Sequence, residues 1–206
     1  MRARDVMTSP VITVRTATTA KEAAEILARQ GFTALPVVDD DDRLIGIVTE
    51  ADLIRDRIPA DPRSCHGEEP PRPREEPGLT VGALMTSPAT GMSPGTDVAD
   101  LTRALVGSGI RAMPVVDGAR VIGIVTRGDI VRVLARDDHA ILNDVRHHLE
   151  IYGGPDRWTV EVEDGVVRVV DAYDDETDRH VAALLAQSVP GVVDAQVVSE
   201  HEESIR

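Results

Sequence analysis

Along the first 137 residues, apolar positions recur with the spacing of helices in some segments and of strands in others. The same order of helix and strand patterns occurs twice. An alanine-rich helical period covers residues 20–30 and stops at a glycine. Short apolar runs at 34–38 and 44–48 then predict two strands around an aspartate-rich turn, and Thr49 opens another helix. Residues 97–134 repeat this order. The pattern therefore predicts two helix-strand-strand-helix units.

The repetition extends to the residues themselves. Pro-Val-Val-Asp at 36–39 and Gly-Ile-Val-Thr-x-x-Asp at 46–52 return at 114–117 and 123–129, while Met-Thr-Ser-Pro opens both copies, at 7–10 and 85–88. A long repeat is one supersecondary unit used twice. Because each copy alone is too small to bury much apolar surface, we expect the two to pack around a pseudo-twofold axis.

A third region follows the second copy. Its pattern predicts a helix at 138–150, strands at 158–163 and 166–170 around an Asp-Gly turn, a helix at 176–187 and a strand at 192–198. Trp158, at the start of a strand, is expected to anchor its core. This order predicts a small α+β domain, so the fold class of the whole chain is α+β.

The predicted boundaries follow from these patterns and from one proline-rich stretch. Residues 58–78 hold six prolines among charged residues, a composition that favours a semi-extended, mobile linker. The predicted organisation is a first unit at 1–57, the linker at 58–78, a second unit at 79–137, the α+β domain at 138–200 and a tail at 201–206.

Charge and composition exclude several classes of protein. The formal net charge is -14, of which residues 138–206 carry -11, and such a field disfavours nucleic acid and anionic membranes. No apolar run approaches the ~20 residues of a membrane-spanning helix, and the N-terminus lacks a signal-peptide pattern, so we expect a cytoplasmic protein. The one cysteine, Cys65, excludes an intrachain disulfide.

The duplicated residues resemble the CBS domains named after cystathionine β-synthase. The resemblance rests on the opening Met-Thr-Ser-Pro, the Pro-Val-Val-Asp strand and the Gly-Ile-Val-Thr-x-x-Asp ending, which occur in order twice over most of residues 1–137. It implies a compact, disc-like pair of units and a homodimer. It also implies a regulatory protein that binds adenosine-containing ligands, namely AMP, ADP, ATP or S-adenosylmethionine, with Mg²⁺ accompanying ATP and no cofactor required.

The Thr-x-x-Asp spacing supports two interpretations. Asp52 and Asp129 are two-oxygen acceptors suited to the paired hydroxyls of a ribose, and Thr49 and Thr126 supply hydroxyls for ribose or phosphate oxygens. The same spacing also forms a helix capping box, in which the threonine and the acid only satisfy backbone donors. Since Glu or Gln is preferred for that cap, the aspartates favour a ligand.

By resemblance, each pocket borrows residues from both copies, with adenine against one copy's early strand and ribose on the other copy's aspartate. One predicted pocket joins Phe32, Thr33 and Ala34 to Ile124, Thr126 and Asp129; the other joins Ile110, Arg111 and Ala112 to Ile47, Thr49 and Asp52; and Thr18 and Thr96 precede the first helices and complete the set. Arg111 replaces Thr33 in the second copy, and a guanidinium contacts phosphate bidentately, in either cleft. The alternative is an ordinary surface or intersubunit arginine. With few other cations, AMP or an S-adenosyl compound is favoured over ATP.

The third region resembles a BON domain, a small α+β module. The resemblance rests on residues 164–169 and 189–197 and lacks the second glycine that the family often has near Asp171. Its acidity favours contact with an as yet unknown protein partner.

No signature of a serine hydrolase, zinc protease or phosphate loop occurs, and Asp144, His147 and His148 are interpreted as a solvated helix face, so we expect no enzyme and no metal. The alternative function is a ligand-free dimeric scaffold that recruits a protein through the BON-like domain.

Overall fold

The computed structural model describes residues 1–55, 57–58, 79–173 and 175–200. The chain divides into two compact units, one formed by Met7–Thr126 and the other by Met1–Val6 with Arg127–Arg206. Nearly all of the predicted linker, Cys65 within it, and the predicted tail lie outside the described residues. The helix that closes the second copy therefore packs in the same unit as the C-terminal region.

The unit Met7–Thr126 contains a pair of strand-rich copies. Its elements are β1 (Val14–Arg15), α2 (Ala20–Gln30), β2 (Ala34–Val38), β3 (Leu44–Thr49), α3 (Glu50–Ile54), α4 (Val81–Leu84), α5 (Val98–Gly107), β4 (Ala112–Asp117) and β5 (Arg120–Thr126). The first copy forms a three-stranded sheet in the order β1-β2-β3 and the second pairs β4 with β5. Both hairpins are antiparallel and carry a register shift at the equivalent valine pair.

Local chemistry explains where α2 begins and ends. Thr19 accepts a hydrogen bond from the Glu22 backbone, and Glu22 accepts one from the Thr19 backbone, which completes a capping box. The hydrogen bonds that the Thr19 backbone and then the Thr19 hydroxyl donate to the Glu22 carboxylate lower the pKa of Glu22. Gly31 ends the helix with φ of 65°, a left-handed conformation that glycine adopts without steric cost. The predicted helix 20–30 is confirmed.

The opening Met-Thr-Ser segments of the two copies are exchanged, which means that each segment pairs with a strand of the other copy. Thr8 of the first copy pairs with Ile124 of the second through backbone hydrogen bonds of 2.9 and 3.2 Å, and Thr86 pairs with Ile47 at 2.9 and 3.0 Å. The hydroxyl of the following serine extends each bridge, from Ser9 to the carbonyl of residue 122 and likewise from residue 87 to residue 45. Each Met-Thr-Ser segment thus borders the strand of the other copy.

The second unit holds α1 (Ala3–Val6), α6 (Arg127–Leu134), α7 (Asp138–Gly153), β6 (Trp158–Glu163), β7 (Val166–Asp171), α8 (Glu176–Ser188) and β8 (Asp194–Ser199). Its sheet has the order β6-β7-β8, with β6 antiparallel and β8 parallel to β7. Side chains of α7, α8 and the sheet form one core that includes Trp158, 9% exposed. The predicted αββαβ order and the anchoring tryptophan are confirmed. None of the described helices is long and apolar enough to cross a membrane.

A partly buried ion-pair network is centred on Arg157. Arg157 donates to both carboxylate oxygens of Asp171, at 2.8 and 2.9 Å, and to Asp178 at 2.7 Å. Asp171 is fully buried, and its hydrogen bonds with Arg157 are the main cause that raises the pKa of the guanidinium. Tyr152 donates to Asp178 at 2.7 Å. The network therefore joins the end of α7, the end of β7 and the start of α8.

Candidate functional site

The Thr49–Asp52 pair lies where β3 ends and α3 begins. The Thr49 hydroxyl accepts from the Asp52 backbone, and Asp52 Oδ2 accepts from the Thr49 backbone at 2.9 Å and from its hydroxyl at 2.7 Å. The capping box that the spacing allows is therefore formed. Both of the bonds that the Asp52 carboxylate accepts use Oδ2, and Oδ1 accepts no hydrogen bond from the part of the chain that the structure describes.

Matched apolar residues of the two copies meet beside this pair. Ala34, Ala112 and Ile124 form a buried cluster, and Ile47 and Val11 pack against it. Ala34 lies opposite Thr49 in the β2–β3 register, and Ala112 lies opposite Thr126 in the β4–β5 register. Residues from the early and the late strands of both copies thus share one cluster.

Thr33 and Arg111, the pair that differs between the copies, precede β2 and β4. The Thr33 hydroxyl oxygen is buried and has no hydrogen-bond partner among the described residues. Arg111 is exposed and makes no ion pair or hydrogen bond with the described part of the chain. Phe32 and Ile110, their neighbours, are half-buried. A buried orphan hydroxyl and a free guanidinium are both groups that a ligand could satisfy.

The second Thr-x-x-Asp falls across the division of the chain. Thr126 ends β5 in the unit Met7–Thr126, and Asp129 lies in the first turn of α6 in the other unit. Asp129 is 5% exposed and accepts a hydrogen bond from Arg132 at 2.6 Å. The two aspartates of the repeat thus have different surroundings.

The threonines before the first helices have separate positions. The Thr18 hydroxyl accepts from the Arg15 backbone at 3.1 Å, and Thr18 lines a cleft of about 500 Å³ with Arg15, Glu22 and Arg29. None of the other predicted site residues lines that cleft. Thr96 is half-buried, and its backbone N–H donates to Ser93.

No group of three metal-ligating side chains occurs within residues 1–55, 57–58, 79–173 and 175–200. Asp144, on the helix face that also carries His148, accepts a hydrogen bond from Arg136 at 2.7 Å.

Sequence reasoning missed the role of the opening segments and the Arg157 network. The Met-Thr-Ser repeat marked the segments as important, but repetition does not reveal with which copy they pair. The network joins residues 14 and 21 positions apart, and no local pattern links Arg157 to Asp171 or Asp178.

The duplicated region is similar to known proteins. The CBS domain family model matches residues 3–58 and 81–136, together more than half of the chain. The uncharacterized protein MJ1225 of Methanocaldococcus jannaschii is 28% identical over 137 residues, 65% of this chain and 43% of that protein. The chain thus spans less than half the length of this curated relative.

Two solved structures are similar to the same region. The CBS domain pair of protein MJ0100, in complex with 5'-methylthioadenosine and S-adenosyl-L-methionine, is 27% identical, with 65% of this chain and 94% of that chain covered and a TM-score of 0.51. CBSX2 of Arabidopsis thaliana, in complex with AMP, is 29% identical, with 64% and 94% covered and a TM-score of 0.51. The duplicated strands, their exchanged openings and the family match lead to one conclusion: the chain belongs to the CBS domain family, with two CBS domains in tandem.

Proposed function

We propose that this protein is a non-catalytic regulator that binds AMP or an S-adenosyl compound between its two CBS copies. The observation that carries the proposal is the free Oδ1 of Asp52, because the capping box occupies only Oδ2. An ionised carboxylate oxygen beside a helix start is suited to a ribose hydroxyl. The solved relatives in complex with AMP and with S-adenosyl-L-methionine support an adenosine-containing ligand.

Residues of both copies complete this pocket. Ile47 and Ala112 share one apolar cluster, which supports adenine packing between β3 and β4. Thr49 supplies a hydroxyl next to the ribose acceptor, and Ile110 flanks the adenine side. Arg111, which has no partner among the residues described, is free to contact a phosphate. Because Arg111 is the cation that the described residues offer to this pocket, AMP is favoured over ATP, whose extra charge would need Mg²⁺.

A first pocket, on the matched residues of the repeat, is also proposed. Ala34 and Ile124 share the same cluster as Ile47 and Ala112, and the buried Thr33 hydroxyl is available for a polar atom of a ligand. Phe32 flanks this position. Thr126 remains the predicted hydroxyl contributor to this pocket, Asp129 remains a predicted ligand-binding residue in the other unit, and Thr18 and Thr96 remain predicted contributors at the two helix starts.

The assembly and the output are also proposed. Ile54 and Val131 occupy matched positions on the closing helices and are 58% and 63% exposed, which supports a homodimer formed through CBS helices. The C-terminal module, residues 138–200, is proposed to be BON-like and to pass ligand occupancy to a protein partner in the cytoplasm. Ligand must bind one arrangement of the chain better than another for such signalling.

Isothermal titration calorimetry tests the ligand. We expect saturable heat with AMP or S-adenosylmethionine, and at least about tenfold weaker binding by Asp52→Asn, since hydrogen bonds to charged groups contribute ~1.5–3 kcal/mol. Asp100→Asn, which removes an exposed carboxylate from α5, is the matched control and should bind as wild type does. Absence of heat with AMP, ADP, ATP, ATP with Mg²⁺ and S-adenosylmethionine would overturn the proposal in favour of the ligand-free scaffold.

Arg111→Gln separates phosphate from adenosine recognition. If Arg111 contacts phosphate, the variant should bind AMP about tenfold more weakly and S-adenosylmethionine, which has no phosphate, unchanged. Equal loss for both ligands would contradict a phosphate-specific role.

A further inference from the structure

Aromatic residues are few in this chain, and most of them lie around one arginine of the C-terminal module. The sequence has one tryptophan, two tyrosines and one phenylalanine. Arg157 Cζ lies 4.4 Å from the centre of the Trp158 ring and 5.2 Å from that of the Tyr173 ring. Tyr152 donates to Asp178, which in turn accepts from Arg157. Since Trp, Tyr and Arg dominate the binding energy of many protein interfaces, this cluster has the composition of a contact surface.

The outer part of the cluster is exposed and ordered at the same time. Trp158 belongs to the core and the Arg157 side chain is 12% exposed, whereas Tyr152 is 42% and Tyr173 65% exposed. A side chain that stays largely in water contributes little apolar burial to folding. The Tyr173 backbone nevertheless donates to Asp171 Oδ1 at 3.1 Å, and the guanidinium lies against its ring. A residue held in this way loses little conformational freedom when a partner binds.

The charges around Tyr152, Arg157 and Tyr173, which we call the aromatic-arginine patch, define the chemistry of a partner. Two carboxylates pair with Arg157, so the network itself has a net negative charge. Asp175, the N-cap of α8, lies two residues after Tyr173, is exposed and makes no ion pair with the described part of the chain. Residues 138–206 together carry -11. Such a surface attracts cationic groups and repels the phosphates of nucleic acid.

We propose that the aromatic-arginine patch binds an arginine-bearing segment of a protein partner. The inference rests on the proposed partner role of the C-terminal module and gives that partner a chemistry. A guanidinium stacks on an aromatic ring and also pairs with carboxylates, as Arg157 does with Tyr173 and Asp171 inside the module. A partner arginine repeats this arrangement on the exposed part of Tyr173, with Asp175 as its counter-charge.

Titration of the full chain with a synthetic peptide of alternating arginine and glycine tests the patch. The fluorescence of Trp158, the one tryptophan, reports binding because its ring lies against Arg157. We expect saturable binding at about 150 mM salt, where the Debye length is ~8 Å, and none by the same peptide with uncharged citrulline in place of arginine. Tyr173→Ala should weaken binding about fivefold, the scale of an exposed cation–π contact, with little change in thermal melting. Tyr173→Phe retains the ring face and should bind as wild type does.

Two carboxylate variants separate this patch from the general acidity of the module. Asp175→Asn removes the charge next to Tyr173 and retains a capping oxygen, so it should weaken binding about twofold or more without loss of the helix. Asp194→Asn, at the opposite end of the sheet from the Trp158–Asp171 pair, is the matched control and should bind as wild type does. Equal losses in the two variants, wild-type binding by Tyr173→Ala, or no binding of the arginine peptide would each overturn the inference.

The titration contains no adenosine ligand, so its result is separate from that of the proposed ligand site. A chain that binds AMP but not the arginine peptide would overturn the docking surface and keep the ligand proposal. A chain that binds the peptide at Tyr173 but no adenosine ligand would keep the docking surface and overturn the ligand proposal.

Discussion

At the scale of single residues, two glycines leave room for the exchanged openings to pack against the strands of the other copy. A side chain at Gly123 would meet Met7, whose Sδ, Cγ and Cβ all lie within contact distance, and one at Gly46 would meet Sδ of Met85 at 2.5 Å. The β strand and the methionine of the other copy approach this closely because glycine has no Cβ. The Gly of each Gly-Ile-Val-Thr segment is therefore required by packing between the copies.

Gly123→Ala should destabilise the protein by about 1–3 kcal/mol, the usual cost of overpacking, because Met7 Cβ cannot move without its backbone. Urea unfolding measures the change. Gly107→Ala is the control, since a side chain there meets nothing within 4 Å and the residue lies in α5. Equal stability of the two variants would contradict the close approach, and Met7→Ala should partly rescue Gly123→Ala.

At the scale of elements, one acidic side chain joins two helices of the C-terminal module. Asp178, in the first turn of α8, accepts from the Tyr152 hydroxyl at the end of α7 and from Arg157 before β6. The hydrogen bond from Tyr152, followed by that from Arg157, lowers the pKa of Asp178 below its ordinary 3.8. The ionised carboxylate is therefore favoured in the folded state.

This shift predicts a pH dependence with a defined sign. A lowered carboxyl pKa stabilises the folded state above the unfolded value, and that stability is lost as pH falls through the folded pKa. Wild type should be more stable than Asp178→Asn from pH 5 to 8, and the difference should shrink below pH 3.8. Guanidinium unfolding at pH 7, 5 and 3 measures it. A difference that stays constant over this range would contradict the assignment, and Tyr152→Phe should reduce the pH-dependent part.

Most elements could be predicted from sequence because their causes are local. The predicted helix 138–150 extends to residue 153, and the predicted strand 192–198 begins at 194. Sites were harder. The spacing of Thr49 and Asp52 allowed both a cap and a ligand site, and only the geometry reveals that the cap leaves one oxygen free. The short elements β1 and α4 have no periodicity of their own, because pairing with distant segments defines them.

At the scale of the whole molecule, the two CBS copies depend on each other. Each Met-Thr-Ser segment completes the sheet edge of the other copy, and the hairpin ends also meet, where the Leu44 backbone donates to the Ala119 carbonyl at 2.9 Å. Neither copy alone can satisfy these backbone groups, and unsatisfied backbone groups are costly to bury.

The copies should therefore stay together when the chain between them is cut. A protease site inserted within residues 59–78 allows the cut, and the two fragments should co-elute in native gel filtration and unfold in one transition. Residues 1–58 expressed alone should give the circular dichroism of an unfolded chain, because the pairing partner of Ile47 is missing. Separation of the fragments, or a folded first copy on its own, would contradict this dependence.

The sequence by itself determined the duplication, the helices and strands of each copy, the αββαβ order after residue 137 and the residue types at the candidate site. These depend on periodicity, caps and turn residues, which act between near neighbours. Only the tertiary structure decided that the openings are exchanged, that Arg157 bridges two distant aspartates, and that Asp129 pairs with Arg132 whereas Asp52 bonds only with Thr49 among the described residues. An arginine follows each aspartate by three residues, and the two charges pair at Asp129 and Arg132 because α6 continues through Arg132, whereas α3 ends at Ile54 before Arg55.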